Sequence, residues 1–272
     1  MSDVERVLNS RGGSDAPPVS DLAGVAKQFR AARSDPHLAV LEGFHAVKHA
    51  IRFGAAFLAL VGTDADAAGR LADALAPDLR ERLADNLRVV SPETFARLAP
   101  QPPTTGLMGI ARRPQVDLHA VLSSPEPRPV VLLEDPRNLG NIGACIRVAA
   151  AAGTAAVLTT GAQDPWHPEA LRGAAGLHFA LPVAPFPEPT FHDRQLIAVA
   201  PDGDPFDPAQ MPSRAVLAFG TERHGIGDEL LARADDRVSI PMRPGVSSLN
   251  LATSVAAILF AWRLTPATPG PP

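Results

Sequence analysis

From Leu38 onward, apolar and polar positions alternate between two periods. LAVLEG is a short apolar run that reads as a strand. FHAVKHAIRF puts Phe44, Val47 and Ile51 on one face of a helix, and FLALVG reads as a second strand. A helical stretch from AGRLADAL to ERLAD follows, then a strand at LRVVS, a short helix at PETFARL and a strand at GLMGIARR. This order predicts a small α/β domain ending near Arg113. Residues 114–129 carry four prolines and little periodicity, the composition of a linker. The rhythm restarts at Val130. Strands are predicted at VVLLE, AAVLTT, FALPV, LIAVAP, AVLAFG and RVSIPM, with helices up to Ala152, near PEALRGAAG, at GDELLARA and from about Leu249 to Leu264. The last of these, LNLATSVAAILFAWRL, is apolar nearly all round and is expected to be buried, with a partner subunit as one cover.

Composition narrows the class. The chain of 272 residues holds one large domain or two ordinary ones, and 46% hydrophobic residues supply a substantial core. No apolar run is long enough to span a bilayer, and MSDVERVLNSRGG lacks the hydrophobic region of a secretory signal, so a soluble cytoplasmic protein is expected. The first twenty residues and the tail TPATPGPP are polar or proline-rich and read as flexible. Cys145 is the single cysteine, which excludes an internal disulfide and reads as a buried thiol. His45 and His49 lie four apart on a helix, but no third ligand accompanies them, so no metal is expected. The net charge of −4 argues against a general nucleic-acid binder and leaves room for a local basic patch.

Three predicted strands end in polar loops that local folding does not demand. EDPRNLGNIGACIRVAAAAG follows the first strand of the second half with Asn138, Asn141 and, two turns into a helix, Arg147. Its glycines do not form a nucleotide-binding fingerprint: G-x-G-x-x-G is missing, and so is a P-loop lysine. AFGTERHGIGDELL carries Gly220, Thr221 and Glu222, and SIPMRPGVSSLNLATS carries Ile240, Met242, Ser248, Leu249 and Asn250. Taken singly, these residues suit turns and helix caps. Together they mark the carboxyl ends of strands, where open α/β sheets gather their ligand sites.

In order and spacing, these three stretches resemble the motifs of the SpoU branch of the SPOUT RNA 2′-O-methyltransferases, over roughly Val130 to Leu264. More weakly, LEGFHAVKHAI is similar to the RNA-substrate-binding domain, related to a ribosomal protein, that many members carry. The resemblance implies a parallel sheet with a deep trefoil knot and a homodimer. It also implies S-adenosylmethionine as cofactor and methyl transfer to a ribose 2′-hydroxyl of structured RNA, with rRNA favoured over tRNA. The domains it implies are a flexible N-terminus at 1–20, an RNA-binding domain at 21–113, a linker at 114–129, the methyltransferase domain at 130–265 and a tail at 266–272.

For the site, the resemblance places Arg147 beside the attacked ribose, with Asn141, Glu222, Ser248 and Asn250 completing the catalytic set. Backbone groups of Gly220, Ile240, Met242 and Leu249 would face the cofactor. A guanidinium normally stays charged, so Arg147 suits a phosphate clamp better than a strict general base. Ala174 stands where members often have serine. Two other readings compete: a non-catalytic RNA-binding or assembly factor on the same fold, and a doubly wound dehydrogenase, which the missing G-x-G-x-x-G disfavours.

Overall fold

A computed structural model describes residues 22–221 and 224–265. Both predicted flexible ends, and Glu222, lie outside the described residues.

The first lobe runs α1 (Leu22–Ser34), β1 (Leu38–Glu42), α2 (Phe44–Arg52), β2 (Phe57–Gly62), α3 (Ala65–Leu75), α4 (Arg80–Asn86), β3 (Arg88–Val89), α5 (Pro92–Ala96) and β4 (Leu107–Arg112). Its sheet has the order β1-β4-β2-β3, with β4 antiparallel to both β1 and β2. The single helix expected from Ala68 to Asp85 is two, because Pro77 starts a 3₁₀ turn between α3 and α4. Helix α1 was not anticipated; it buries Val25, Phe29 and Ala32, spaced four and three apart, under the sheet.

The segment expected as a linker is not featureless. It carries α6 (Leu118–Ser123), capped by the Asp117 carboxylate, which accepts the Ala120 N–H at 3.0 Å. Arg194 is 4% exposed and donates to the carbonyls of Leu122, Arg128, Arg214, Val121 and Ser124 at 2.7–3.4 Å. These use all three nitrogens of a side chain that has five N–H donors.

The second lobe is a six-stranded sheet, all parallel, in the order β10-β8-β9-β5-β6-β7. Its strands are β5 (Val130–Leu133), β6 (Ala156–Thr159), β7 (Val183–Pro185), β8 (Leu196–Pro205), β9 (Val216–Phe219) and β10 (Asp236–Ser239). Its helices are α7 (Leu139–Ala152), α8 (Pro168–Gly173), α9 (Asp228–Ala232) and α10 (Leu251–Leu264). Strands β5 and β9 are buried throughout, as a sheet covered on both faces requires. The strand expected at 179–183 lies later, at β7; Leu177–Phe179 is a 3₁₀ turn, and Pro182 has no N–H for a ladder. β10 stops at Ser239, before Pro241.

Helix α10 buries Leu251, Val255, Ile258 and Leu259, packs along α7, and ties back through Arg263, which donates to the Ala152 carbonyl at 2.6 Å. Its other flank leaves Phe260 and Leu264 exposed, so one chain covers only half of this apolar helix.

The lobes share one hydrophobic core. Leu41, Phe44, Val47 and Ile51 of the first belong to the same buried cluster as Ile142, Ala170, Leu171 and Ala174 of the second. Polar contacts seal the seam. Glu42 is buried and accepts from Arg33 at 2.6 Å and Arg172 at 2.9 Å, and Arg113 grips Asp164 with two bonds.

Candidate active site

In the strand order, β6 and β7 lie to one side of β5, while β9, β8 and β10 lie to the other. The crevice of such a sheet opens at the carboxyl ends of the strands where the order reverses, here β5 and β9. The backbone builds that edge with little room to spare. Glu134 N–H donates to the Phe219 carbonyl at 2.9 Å, and Thr160 N–H to that of Leu133 at 3.0 Å. A cavity of about 950 Å³ opens there, lined by Glu134, Asp135, Asn138, Thr160, Thr221 and Gly227 among others.

The second loop folds onto this edge as a tight turn. Thr221 and Gly225 exchange both backbone hydrogen bonds at 3.0 Å, and the Thr221 hydroxyl accepts the His224 N–H at 3.1 Å. A Cβ on Gly220 would overlap the Gly225 carbonyl, so only glycine fits. Glu134 fastens the far end of the loop, its carboxylate accepting the Gly227 N–H at 2.6 Å. Sequence reasoning passed over Glu134; its only signal was an acid directly after a buried strand. Asp135, also passed over, takes a positive φ of 42° and is held by its N–H donating to the Thr160 hydroxyl at 2.9 Å and by Arg137 at 2.5 Å. Such backbone strain in a non-glycine residue gathers at functional sites.

The first and third loops meet. Asn138 caps α7, its side-chain oxygen accepting the Asn141 N–H at 2.9 Å. Asn250 caps α10 in the same way through Ala252 N–H at 2.9 Å, and its amide donates to the Asn141 side-chain oxygen at 3.2 Å. Two residues 109 positions apart are thereby joined. This cap is also why α10 begins at Leu251 rather than Leu249. Ile240 packs half-buried on the main core, Met242 and Leu249 are half-buried, and Ser248 is exposed in the loop between them.

Arg147 is exposed on α7, six residues beyond Asn141 and so about 120° around the axis. It faces α2 of the first lobe, close enough that its charge acts on His45 and Lys48. In one chain the structure thus joins Asn141 with Asn250, and Arg147 points to another side of α7. Ala174 is fully buried beside α7: a Cβ on Gly143 would strike the backbone of Ala170, Gly173 and Ala174. Ala174 packs two helices against each other.

Residues 128–260 match the model of the SpoU rRNA Methylase family. An uncharacterized tRNA/rRNA methyltransferase of Mycobacterium bovis is 31% identical over 237 residues, covering 82% of this chain and 80% of that one. The chain belongs to the SpoU family. Within it, the 23S rRNA (adenosine(1067)-2′-O)-methyltransferase of Streptomyces laurentii is 27% identical, covering 89% of this chain and 91% of the other. Against several other SpoU relatives the match spans only 43% to 66% of their length. A crystal structure of an RNA 2′-O ribose methyltransferase superposes with a TM-score of 0.67 at 26% identity, over 93% of this chain and 98% of that one. Among the described residues, no helix is long and apolar enough to cross a membrane.

Proposed function

We propose that this chain is an S-adenosylmethionine-dependent methyltransferase acting on a ribose 2′-hydroxyl of RNA, with rRNA the favoured substrate. The observation that carries the reading is the Asn250–Asn141 bond, which joins the first and third loops, while Asn138 of the first lines one crevice with Thr221 and Gly225 of the second at the sheet's switch point. An idle scaffold has no need of that closure, which disfavours the binding-only alternative.

The donor set fits the cofactor. S-adenosylmethionine has no phosphates and needs no P-loop. The turn at Gly220–Gly225 offers close backbone approach to a ligand in the crevice beside it. Backbone groups of Gly220, Ile240, Met242 and Leu249 would hold the cofactor, which supplies an electrophilic methyl. The chain's own work is to position the nucleophile. Arg147 would clamp the RNA phosphate and lower the pKa of the neighbouring hydroxyl, with placement rather than basicity supplying the rate. Asn141, Ser248 and Asn250 would orient ribose and cofactor, and Glu222 would brace them from the second loop.

The same reading includes a homodimer that covers the Phe260 and Leu264 flank of α10, a C-terminal trefoil knot, a cytoplasmic location, and an RNA-binding role for residues 21–113 ahead of a catalytic 130–265. Calorimetry on the purified protein tests the cofactor: S-adenosylmethionine binds and NAD does not. Mapping ribose methylation across cellular RNA with and without the gene tests the substrate. An unchanged map, with no binding of S-adenosylmethionine, would remove the reading.

A further inference from the structure

We propose that α2 and α7 together form a rail for the RNA phosphodiester backbone, in which Lys48 and His45 seat the strand and bring its ribose to Arg147. The inference rests on the methyltransferase reading and adds to it the residues that position the substrate.

The rail is built across the seam and is rigid. Helices α2 and α7 both pack on the 3₁₀ turn Leu177–Phe179. His49 Nδ1–H donates to the Ala175 carbonyl at 2.7 Å, a contact spanning 126 positions. Gly176, at φ 75°, lies so close to the backbone of Ala46 that any Cβ would collide with it. One flank of α2 is thereby locked against the second lobe. On its outward flank, His45 is exposed and Lys48 half-exposed, near exposed Arg147.

Charge is crowded there. Among the described residues, no carboxylate forms an ion pair with Lys48, His45 or Arg147, whereas Arg52 holds Asp78 at 2.7 and 2.8 Å. Burial, followed by the charges of Lys48 and Arg147, lowers the pKa of His45. Burial, followed by Arg52 and Arg147, lowers that of Lys48, with Asp78 opposing. In a chain of net charge −4 the fold tolerates this repulsion without an internal partner. A phosphodiester strand relieves it, because each neutralised phosphate releases condensed counterions. The contrast with Arg33 and Arg172 is direct: both are paired to buried Glu42, and their job is the seam. Lys48 is one of two lysines among 25 basic residues. A compact ammonium holds a phosphate without dictating the plane of approach, as suits a guide beside the arginine that must bind in one geometry.

The test uses the full chain and a 23S rRNA transcript free of modification. Binding is followed across a salt titration for wild type, Lys48→Ala, Lys48→Glu and the pair His45→Gln with Lys48→Ala. Lys48→Ala is expected to reduce the salt slope by about 0.7–0.9, one phosphate contact, and Lys48→Glu to weaken binding by roughly tenfold or more. Cofactor affinity and melting temperature should not move, and the lost methylation rate should recover as RNA is raised to saturation. Arg70→Glu, on exposed α3, is the charge-matched control. Wild-type affinity and slope in the Lys48 variants would overturn the rail, as would an equal loss in Arg70→Glu. A wild-type protein that binds the transcript through Lys48 yet transfers no methyl would support the RNA contact and overturn the enzymatic reading instead.

Discussion

The carboxyl edge of the six-stranded sheet and the seam between the lobes are built on opposite plans. At the edge, residue type follows from backbone need: Gly220 because nothing larger fits, Asn138 and Asn250 because helices must be capped there. At the seam, residues of ordinary type are joined over long spans of chain: Glu42 with Arg172 across 130 positions, His49 with Ala175 across 126, Arg113 with Asp164 across 51. The edge is a local grammar repeated at three strand ends, which the long Asn141–Asn250 and Glu134–Gly227 bonds then join. The seam is an agreement among residues that say nothing in their own neighbourhoods. The proposed rail would draw on both, because Arg147 belongs to an edge motif and its charge acts on His45 and Lys48 at the seam.

Four experiments would break or sharpen this contrast. The largest effect is expected from Arg194→Ala. Burial pulls the arginine's pKa below its ordinary value, yet five carbonyls hold it in place, and its loss takes the side-chain donor from four of them, the Ser124 carbonyl keeping its 2.9 Å bond from Arg214. A destabilisation of at least about 3 kcal/mol is expected by chemical denaturation. A change under about 1 kcal/mol would mean that the long-range contacts are ornament.

Next comes Arg147→Ala, expected to slow methyl transfer about 10²-fold or more, near 2.7 kcal/mol in the barrier, with cofactor affinity intact. Arg147→Lys should restore little, since an ammonium lacks the planar fork. Single-turnover rates at saturating cofactor decide it, and residual activity above about a tenth of wild type would make Arg147 a surface residue.

The third concerns His178 in the turn beneath α2 and α7. It is wholly buried, its Nε2–H donates to the Pro165 carbonyl at 2.8 Å, and burial lowers its pKa to about 4. Unfolded chains take up this proton near pH 6.5, before the folded one does, so stability is full above that pH and falls as pH drops toward 4. Between pH 6.5 and 5 the loss should reach about 1.5 kcal/mol, since each pKa unit is worth about 1.4 and the unfolded histidine is already half-protonated at pH 6.5. His178→Gln should flatten that slope. A wild-type stability level across this window would remove the histidine from the seam's account.

The smallest effect is that of Asn250→Ala, about 1 kcal/mol of stability from the lost cap. The proposed role adds a disproportionate loss of activity. If activity falls no further than stability explains, the Asn141 bridge is structural.

The same contrast explains what was legible. Five of the six strands of the second lobe, the helix ending at Ala152 and the three loops follow from apolar runs closed by glycine and asparagine, whereas β7 was expected too early. The Asn141–Asn250 pair emerged only in three dimensions, although both residues stood out in sequence. Glu134 and Asp135 were in plain view and passed over, because an acid after a strand has many ordinary uses. Helix α6 hid among prolines, its signal reduced to Asp117 as a cap. The basic partnership of Lys48 with Arg147 had no sequence signature, since α2 and α7 are brought together by the shared core rather than by any motif.

Arg194 also bears on the order in which the molecule comes into being. Four of its five carbonyls, from Val121 to Arg128, leave the ribosome some seventy residues before it does, and the fifth, on Arg214, follows twenty later. A chain still short of Arg194 therefore carries a connector with nothing to hold it. Yet the first lobe, with its own sheet, is already complete. Synthesis proceeds at only about 5–20 residues per second, so this interval lasts for seconds. During it only the connector lacks its clasp, because the seam contacts of His49 with Ala175 and of Glu42 with Arg172 all lie ahead of Arg194 in the chain, and Arg194 closes the connector last.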